Sequence, residues 1–313
     1  MGVSIGVAAA PVPATDLPQL MHHADVAMYT AKSHRDGVRV YAPEPGSGTG
    51  DRLQTIEELR AGLARGELEV HLQPQVAAAA GGAVVGAEAL VRWRHPVRGL
   101  LAPADLLPAA EQAGLLRPLT DAVLDLALAA ASGWWADTPV PVAVNLSAAN
   151  VTDLDLPGKV AELLDRHGLP PAALTLELVE DMLMSDPERG RTVLAGLRGL
   201  GVRTSIDDYG AGQSSLAHLR HLAADEIKLD RSLTAAVTSD ARAAAVVRHT
   251  VALAHDLELD LVAEGVEDAA TAAALAELGC DAVQGWCIAH PMPVSDFRAW
   301  LQHNPATDDA VVG

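Results

Sequence analysis

The feature that most constrains the fold of this chain is an alternation. From about Ile56 to Asn304, short β-branched or apolar runs are each followed by a helix-length segment, the pattern of βα units around a parallel sheet. Eight runs read as strands: Leu68 to Val76, Val84 to Trp93, Pro141 to Ser147, Leu174 to Glu180, Val202 to Asp208, Glu226 to Asp230, Asp260 to Val266 and Ala282 to Ile288. Alanine-rich helical stretches lie between them, clearest at Leu119 to Ser132, Pro187 to Gly199, Arg242 to His255 and Ala269 to Leu278. Eight strands over roughly 250 residues is the size of a closed barrel with an outer ring of helices. The expected class is therefore α/β, a TIM-like (β/α)8 barrel. Half of the residues are hydrophobic but only 3% are aromatic, so Ala, Val, Leu and Ile must fill the core. That favours helices and parallel strands over an aromatic-rich sandwich. No fixed-period repeat points to a solenoid.

The segments on either side differ. Residues 1–42 hold an apolar run (Val3 to Ala10), a helical stretch (Leu17 to Ser33) and a short strand (Val38 to Tyr41), too little for a domain. The Pro- and Gly-rich stretch that follows predicts a linker over residues 43–55, and the small polar residues 305–313 predict a disordered tail.

Charge excludes one class of partner. The formal net charge is −19, whereas a grip on extended DNA or RNA rests on basic patches that release counterions. An acidic protein that binds a small anion needs its local field inverted, and divalent cations do this. No run approaches the roughly 20 apolar residues of a membrane span. The N-terminus lacks the basic flank of a signal peptide, and Gly6 stands where a myristoylation signal wants Ser or Thr. The two cysteines, Cys280 and Cys287, form neither a disulfide framework nor a zinc spacing, which fits a reducing cytoplasm.

The chemistry is carried by where acidic and amide residues fall. Glu88, Asn145, Glu177, Glu180, Asp207, Asp208, Lys228, Asp230, Glu264 and Gln284 all sit within or at the C-terminal part of an expected strand. In a barrel those ends converge on one rim, where active sites are found. A lone acidic residue is most simply a solvated charge, but so many arriving in phase need another reason, because charges inside apolar runs are costly unless paired or metal-bound. Oxygen ligands without His or Cys select Mg2+ or Mn2+ over zinc. The adjacent Asp207-Asp208 pair suits two ions about 3.5–4 Å apart, the clamp used for in-line phosphodiester hydrolysis. Lys228 is placed to orient the attacking water or neutralise developing charge.

At these residues a resemblance becomes plain. Glu88-Ala89-Leu90 with Val91-Arg92-Trp93 resembles the signature of the EAL family of cyclic di-GMP phosphodiesterases. Gln73-Pro74, Asn145-Leu146-Ser147, Glu177-Leu178-Val179-Glu180, Asp207-Asp208-Tyr209-Gly210, Lys228-Leu229-Asp230, Glu264-Gly265-Val266-Glu267 and Gln284-Gly285 follow in the family's order. The resemblance spans nearly all of Leu53 to Trp300. It implies a barrel over residues 56–304 that opens cyclic di-GMP to linear pGpG. It further implies that Glu88, Asn145, Glu177 and Asp207 hold one metal ion, Asp208 bridges to a second, and Glu264 lies at the attacking water or the second metal. Lys228 assists that water, and catalysis falls to Glu264, Lys228 and Glu88. Gln73, Leu90, Arg92, Asp230, Glu267 and Gln284 line the guanine and phosphate side, with Arg92 as phosphate partner. Glu180 resembles the glutamate that braces the loop from Tyr209 to Ser215, which is tied to a homodimer through the barrel. Val179, Tyr209, Ala211 and Gln213 depart from the family's common residues around that loop. Residues 1–42 resemble the end of a GGDEF cyclase domain without its signature, which reads as a piece of a longer tandem.

Other motifs carry less. His255-Asp256 lacks the partner ligands of an HD hydrolase, no His-Glu-x-x-His occurs, and Gly210 and Gly212 lack the Gly-Lys-Ser or Gly-Lys-Thr of a P-loop. The rival to an enzyme is a catalytically silent receptor or regulatory EAL module that binds the same messenger.

Overall fold

A computed structural model describes residues 5–9, 20–21, 24, 27–28, 38–40, 49–79, 82–179, 182, 186–211 and 224–304. The chain divides into two compact units, Met1–Glu58 and Leu59–Gly313.

In the first unit, β1 (Ile5–Val7) pairs in parallel with β2 (Val38–Val40), Ile5 opposite Val38. Leu20, Met21, Ala24, Ala27 and Met28 are helical, within the stretch read as a helix. Helix α1 (Thr49–Arg65) begins inside the stretch read as a linker and continues into the second unit.

The second unit is the barrel. In chain order it comprises β3 (Leu68–Ala77), β4 (Val84–His95), β5 (Gly99–Leu101), α2 (Pro103–Gln112), α3 (Leu116–Ala131), β6 (Val142–Asn145), α4 (Ala148–Val151), α5 (Leu156–His167), β7 (Leu174–Val179), α6 (Pro187–Leu200), β8 (Arg203–Tyr209) and β9 (Glu226–Leu229). There follow α7 (Arg231–Thr234), α8 (Ala241–Asp256), β10 (Asp260–Ala263), α9 (Ala269–Glu277), β11 (Ala282–Gln284), β12 (Met292–Pro293) and α10 (Val294–His303). Eight of these strands close a ring in the order β3-β4-β6-β7-β8-β9-β10-β11, with β11 pairing back onto β3. β5 and β12 extend the sheet outside the ring, on β4 and β3.

The ring departs from an all-parallel barrel at one strand. β3 runs antiparallel to both of its ring neighbours, β4 and β11, while the pairs from β4 through β11 are parallel. The cause is the short connection after β3: Ala77 N donates to Ala83 O at 2.8 Å, closing a hairpin where a parallel return needs a dozen or more residues. Several strands also end before the apolar runs do. β10 stops at Ala263 rather than Val266, because the chain turns at Gly265 with φ +63°, a left-handed conformation that glycine adopts without penalty.

Strand periodicity sorts the side chains. In β7, Leu174, Leu176 and Leu178 are buried against the helices, while Thr175 and Glu177 alternate with them and face the barrel axis. Helix positions such as Leu124, Leu128, Val160, Leu194, Leu197 and Val247 complete the outer core. Local signals fix the helix ends: Asp186 and Asp268 accept hydrogen bonds from Arg189 N and Thr271 N at the starts of α6 and α9, and Gly201 ends α6 in the left-handed region. Among the described residues, no helix is long and apolar enough to cross a membrane.

Candidate active site

Because six ring strands after β4 run the same way as β4, their C-terminal ends share one rim. There the inward faces carry charge instead of aliphatic groups. At the centre is Lys228, fully buried on β9. Its Nζ lies 2.6 Å from Glu264 Oε1 and 2.8 Å from Glu177 Oε1. Glu88 Oε2 and Asp207 Oδ1 are each 3.5 Å away. One ammonium thus faces four carboxylates from four strands or strand ends.

The electrostatic consequences differ by residue. Burial works against the Lys228 cation, yet Glu177, Glu88, Glu264 and Asp207 hold its pKa well above the usual lysine value. Burial drives the Glu177 carboxyl well above the usual range, with Glu88 and Asp207 adding to the rise against the pull of Lys228. Burial also pushes Glu264 up to about 7, again against Lys228. Glu88 goes the other way: burial opposes its ionisation, but Lys228 and hydrogen bonds from Gln284 and Asn145 outweigh it and hold the pKa low.

Those hydrogen bonds form a small amide network. Asn145 Nδ2 donates to Glu88 Oε1 at 2.8 Å, and Gln284 Nε2 donates to Glu88 Oε2 at 2.6 Å. Gln284 Nε2 also reaches Gln73 Oε1 at 3.2 Å, and Gln73 Nε2 donates to Ala289 O at 3.1 Å.

The Asp207-Asp208 pair shows how two neighbours come to serve one place. Consecutive residues of a regular strand point to opposite faces. Here the β8–β9 register shifts between Ile206 and Tyr209, and Asp208 adopts φ +57°. That conformation is uncommon for a residue with a side chain. As a result, single carboxylate oxygens of Asp207, Asp208 and Glu264 all come within 4.8 Å of one another. Burial, with Asp207 and Asp230 nearby, raises the Asp208 pKa.

This set fits a hard divalent cation. Its donors are carboxylate oxygens with no His or Cys among them. Both Glu177 oxygens are buried and accept no hydrogen bond of good angle, although such groups are costly to leave unsatisfied. The excess of negative charge over Lys228 is itself unfavourable without a counter-ion.

A cavity of about 250 Å³ opens beside the cluster, with Gln73, Glu88, Leu90, Glu264, Glu267 and Gln284 among its walls. Asp207 lines it too, whereas Asn145, Glu177, Asp208 and Lys228 do not. Asp230, one residue past β9, accepts from Ser232 N at 2.9 Å as the cap of α7 and stands off the wall. Arg92 is also off the wall; its Nη1 donates to Val91 O at 2.8 Å. Glu180 and Gln213 lie outside the described residues, and the loop read as Tyr209 to Ser215 is described only to Ala211.

Three residues that sequence reasoning passed over join this region. Arg231 lines the cavity and pairs with Glu267 at 2.8 Å. Trp286 lines it half-exposed, its ring 5.0 Å from that of His290. Gln75, buried on β3, donates to Gln284 Oε1 at 2.9 Å. Gln75 had one signal: it is two residues from Gln73 and so shares its strand face.

Comparison with known proteins gives this geometry a context. Residues 56–291 match the EAL domain. An uncharacterised signalling protein of Caulobacter vibrioides is 41% identical over 301 residues, which are 96% of this chain and 37% of the relative. The bifunctional diguanylate cyclase/cyclic di-GMP phosphodiesterase MucR of Pseudomonas aeruginosa is 38% identical over 302 residues, 96% of this chain and 44% of MucR. The solved structure of the PaMucR phosphodiesterase in complex with c-di-GMP superposes with a TM-score of 0.73 at 40% identity, over 78% of this chain and 99% of that one. The chain thus spans less than half the length of each of these two curated relatives. The match over three quarters of its length, on a closed barrel with this cluster at the rim, shows that the chain belongs to the EAL domain family.

Proposed function

We propose that the barrel hydrolyses one phosphodiester bond of cyclic di-GMP to give linear pGpG. The observation that carries this reading is the buried Lys228 ammonium held among Glu88, Glu177, Asp207 and Glu264 beside the cavity. Relatives named for the same activity support the choice of substrate.

Two ions of the Mg2+ or Mn2+ class, held by Glu88, Asn145, Glu177, Asp207, Asp208 and Glu264, would supply Lewis acidity and an activated water. The chain's own residues do the rest. Asn145 gives its Nδ2 to Glu88 and so keeps its Oδ1 for another partner. Lys228 neutralises charge that builds up at the phosphorus, from a place where water does not screen it. Glu264, paired with Lys228 at 2.6 Å, stands where it can orient the attacking water. Gln73, Leu90, Glu267 and Gln284 hold the guanine and ribose-phosphate of the substrate against the wall. Arg92 spends one N–H on Val91 O and has further donors for the phosphate, and Asp230 completes the substrate side. Glu180 braces the loop after β8, and the barrels pair as a homodimer. Residues 1–42 are read as the end of a GGDEF domain.

The test is direct. Purified protein incubated with cyclic di-GMP and Mg2+ or Mn2+ yields pGpG, and Glu88→Ala does not. Tight binding of the messenger without metal-dependent product would replace the enzyme by a receptor.

A further inference from the structure

We propose that Gln75 is a positioning residue of this centre: from the layer beneath, it fixes which way the Gln284 carboxamide faces, so that Glu88 meets an N–H rather than a carbonyl oxygen. The proposal rests on the metal-dependent phosphodiesterase reading above.

A carboxamide has a donor end and an acceptor end of nearly equal size. Turned over, Gln284 would set its Oε1 against Glu88 Oε2, two acceptors at the 2.6 Å that now separates donor from acceptor. The buried carboxylate would then keep only one of its two amide hydrogen bonds, the one from Asn145. Two partners prevent the turn. Gln73 is anchored by a main-chain carbonyl, Ala289 O, which can only accept, so its own Oε1 faces Gln284. Gln75 does the complementary work, its Nε2 donating to Gln284 Oε1 at 2.9 Å. Every polar atom of the Gln284 side chain is thereby matched, which is what a buried amide requires.

The strand register builds this contact. Gln75 stands opposite Gln284 on β11 and opposite Gly86 on β4, so it bridges two staves of the barrel. A bulge between Gln75 and Val76 interrupts the β3–β4 ladder there, a device that re-aims side chains. Gly86 is needed as well: a Cβ at that position would lie 2.4 Å from Gln75 Oε1. Gln75 touches neither the cavity nor the carboxylates, so it acts only through Gln284.

The test compares wild type, Gln75→Leu and Gln75→Glu, each alone and combined with Gln284→Ala. Mn2+ affinity is read by electron paramagnetic resonance, kcat by pGpG release, and folding by thermal melting. Gln75→Leu weakens Mn2+ binding about fivefold, the scale of one neutral hydrogen bond. Gln75→Glu, which places an acceptor against an acceptor, weakens it about twentyfold, as groups that orient metal ligands do. In the Gln284→Ala background both effects shrink to twofold or less, because the residue they act through is gone. Should Gln75→Leu fail to fold, Gly86→Ala displaces Gln75 from the opposite side and gives the same pattern. Gln75 variants with wild-type Mn2+ affinity and kcat would overturn the proposal, as would losses that persist in full without Gln284. If wild type itself neither binds Mn2+ nor forms pGpG, the phosphodiesterase reading fails and this proposal fails with it.

Discussion

The strands β8, β9 and β10 carry charge at both ends of the barrel, and the two ends are built on opposite plans. At their N-terminal ends each of these charged groups has a hydrogen-bond partner. Arg203 pairs with Asp260, Ser205 Oγ donates to Glu226 at 2.7 Å, and Asp225 accepts from Thr204 N at 2.8 Å. Two strand steps on, the matching stops: four carboxylates share Lys228, and Glu177 keeps two buried oxygens without a hydrogen bond. The same alternation of side chains thus makes a closed polar layer at one end and an electrostatic deficit at the other. Such a deficit is relieved by protonation, towards which burial drives Glu177, or by a bound cation.

Four measurements would break or sharpen this contrast. The largest effect belongs to the rim: Asp208→Ala or Asp207→Asn lowers kcat by about a thousandfold, with an unchanged circular dichroism spectrum. Retained turnover would remove the carboxylates from the chemistry. Next, Lys228→Met in EDTA leaves the carboxylates without their cation and lowers stability by about 3–5 kcal/mol, part of which Mn2+ restores in a denaturant titration. A variant equally stable with and without Mn2+ would show the deficit to be illusory. Third, Mn2+ at a hundred times its dissociation constant stabilises wild type by about 2.7 kcal/mol, read as a rise in melting temperature. The smallest effect belongs to the other end. Arg203→Ala, which breaks a partly exposed pair, costs at most about 1 kcal/mol and leaves Mn2+ affinity unchanged.

Much of this contrast was legible in the chain. Glu88, Asn145, Glu177, Asp207, Glu264 and Gln284 each lie within an apolar run or at its end, and that placement points them to one rim. Periodicity could not show that β3 runs backwards, since an apolar run has no direction; the only hint was the short gap between Val76 and Val84. Nor could it show that Asp208 turns towards its neighbour. A regular strand would have separated the two aspartates, and the left-handed backbone that unites them depends on the shifted pairing with β9. Arg231 went unread because the first residue of a helix has no period to place it; Trp286 fell in a run read as strand to Ile288, but β11 ends at Gln284 and tertiary packing decides where it points. Gln75 lay in view on a recognised strand, but its role exists only through a partner 209 residues away.

That distance has a consequence for how the molecule comes into being. Gln284 belongs to β11, the stave that joins β10 to the reversed first strand and seals the ring. Contacts of such long separation form late and slowly, because the loop they close is costly in entropy. A nascent chain can therefore display most of its acidic residues while still on the ribosome without yet owning the arrangement that orients Glu88. Sealing the barrel and arming it are one event.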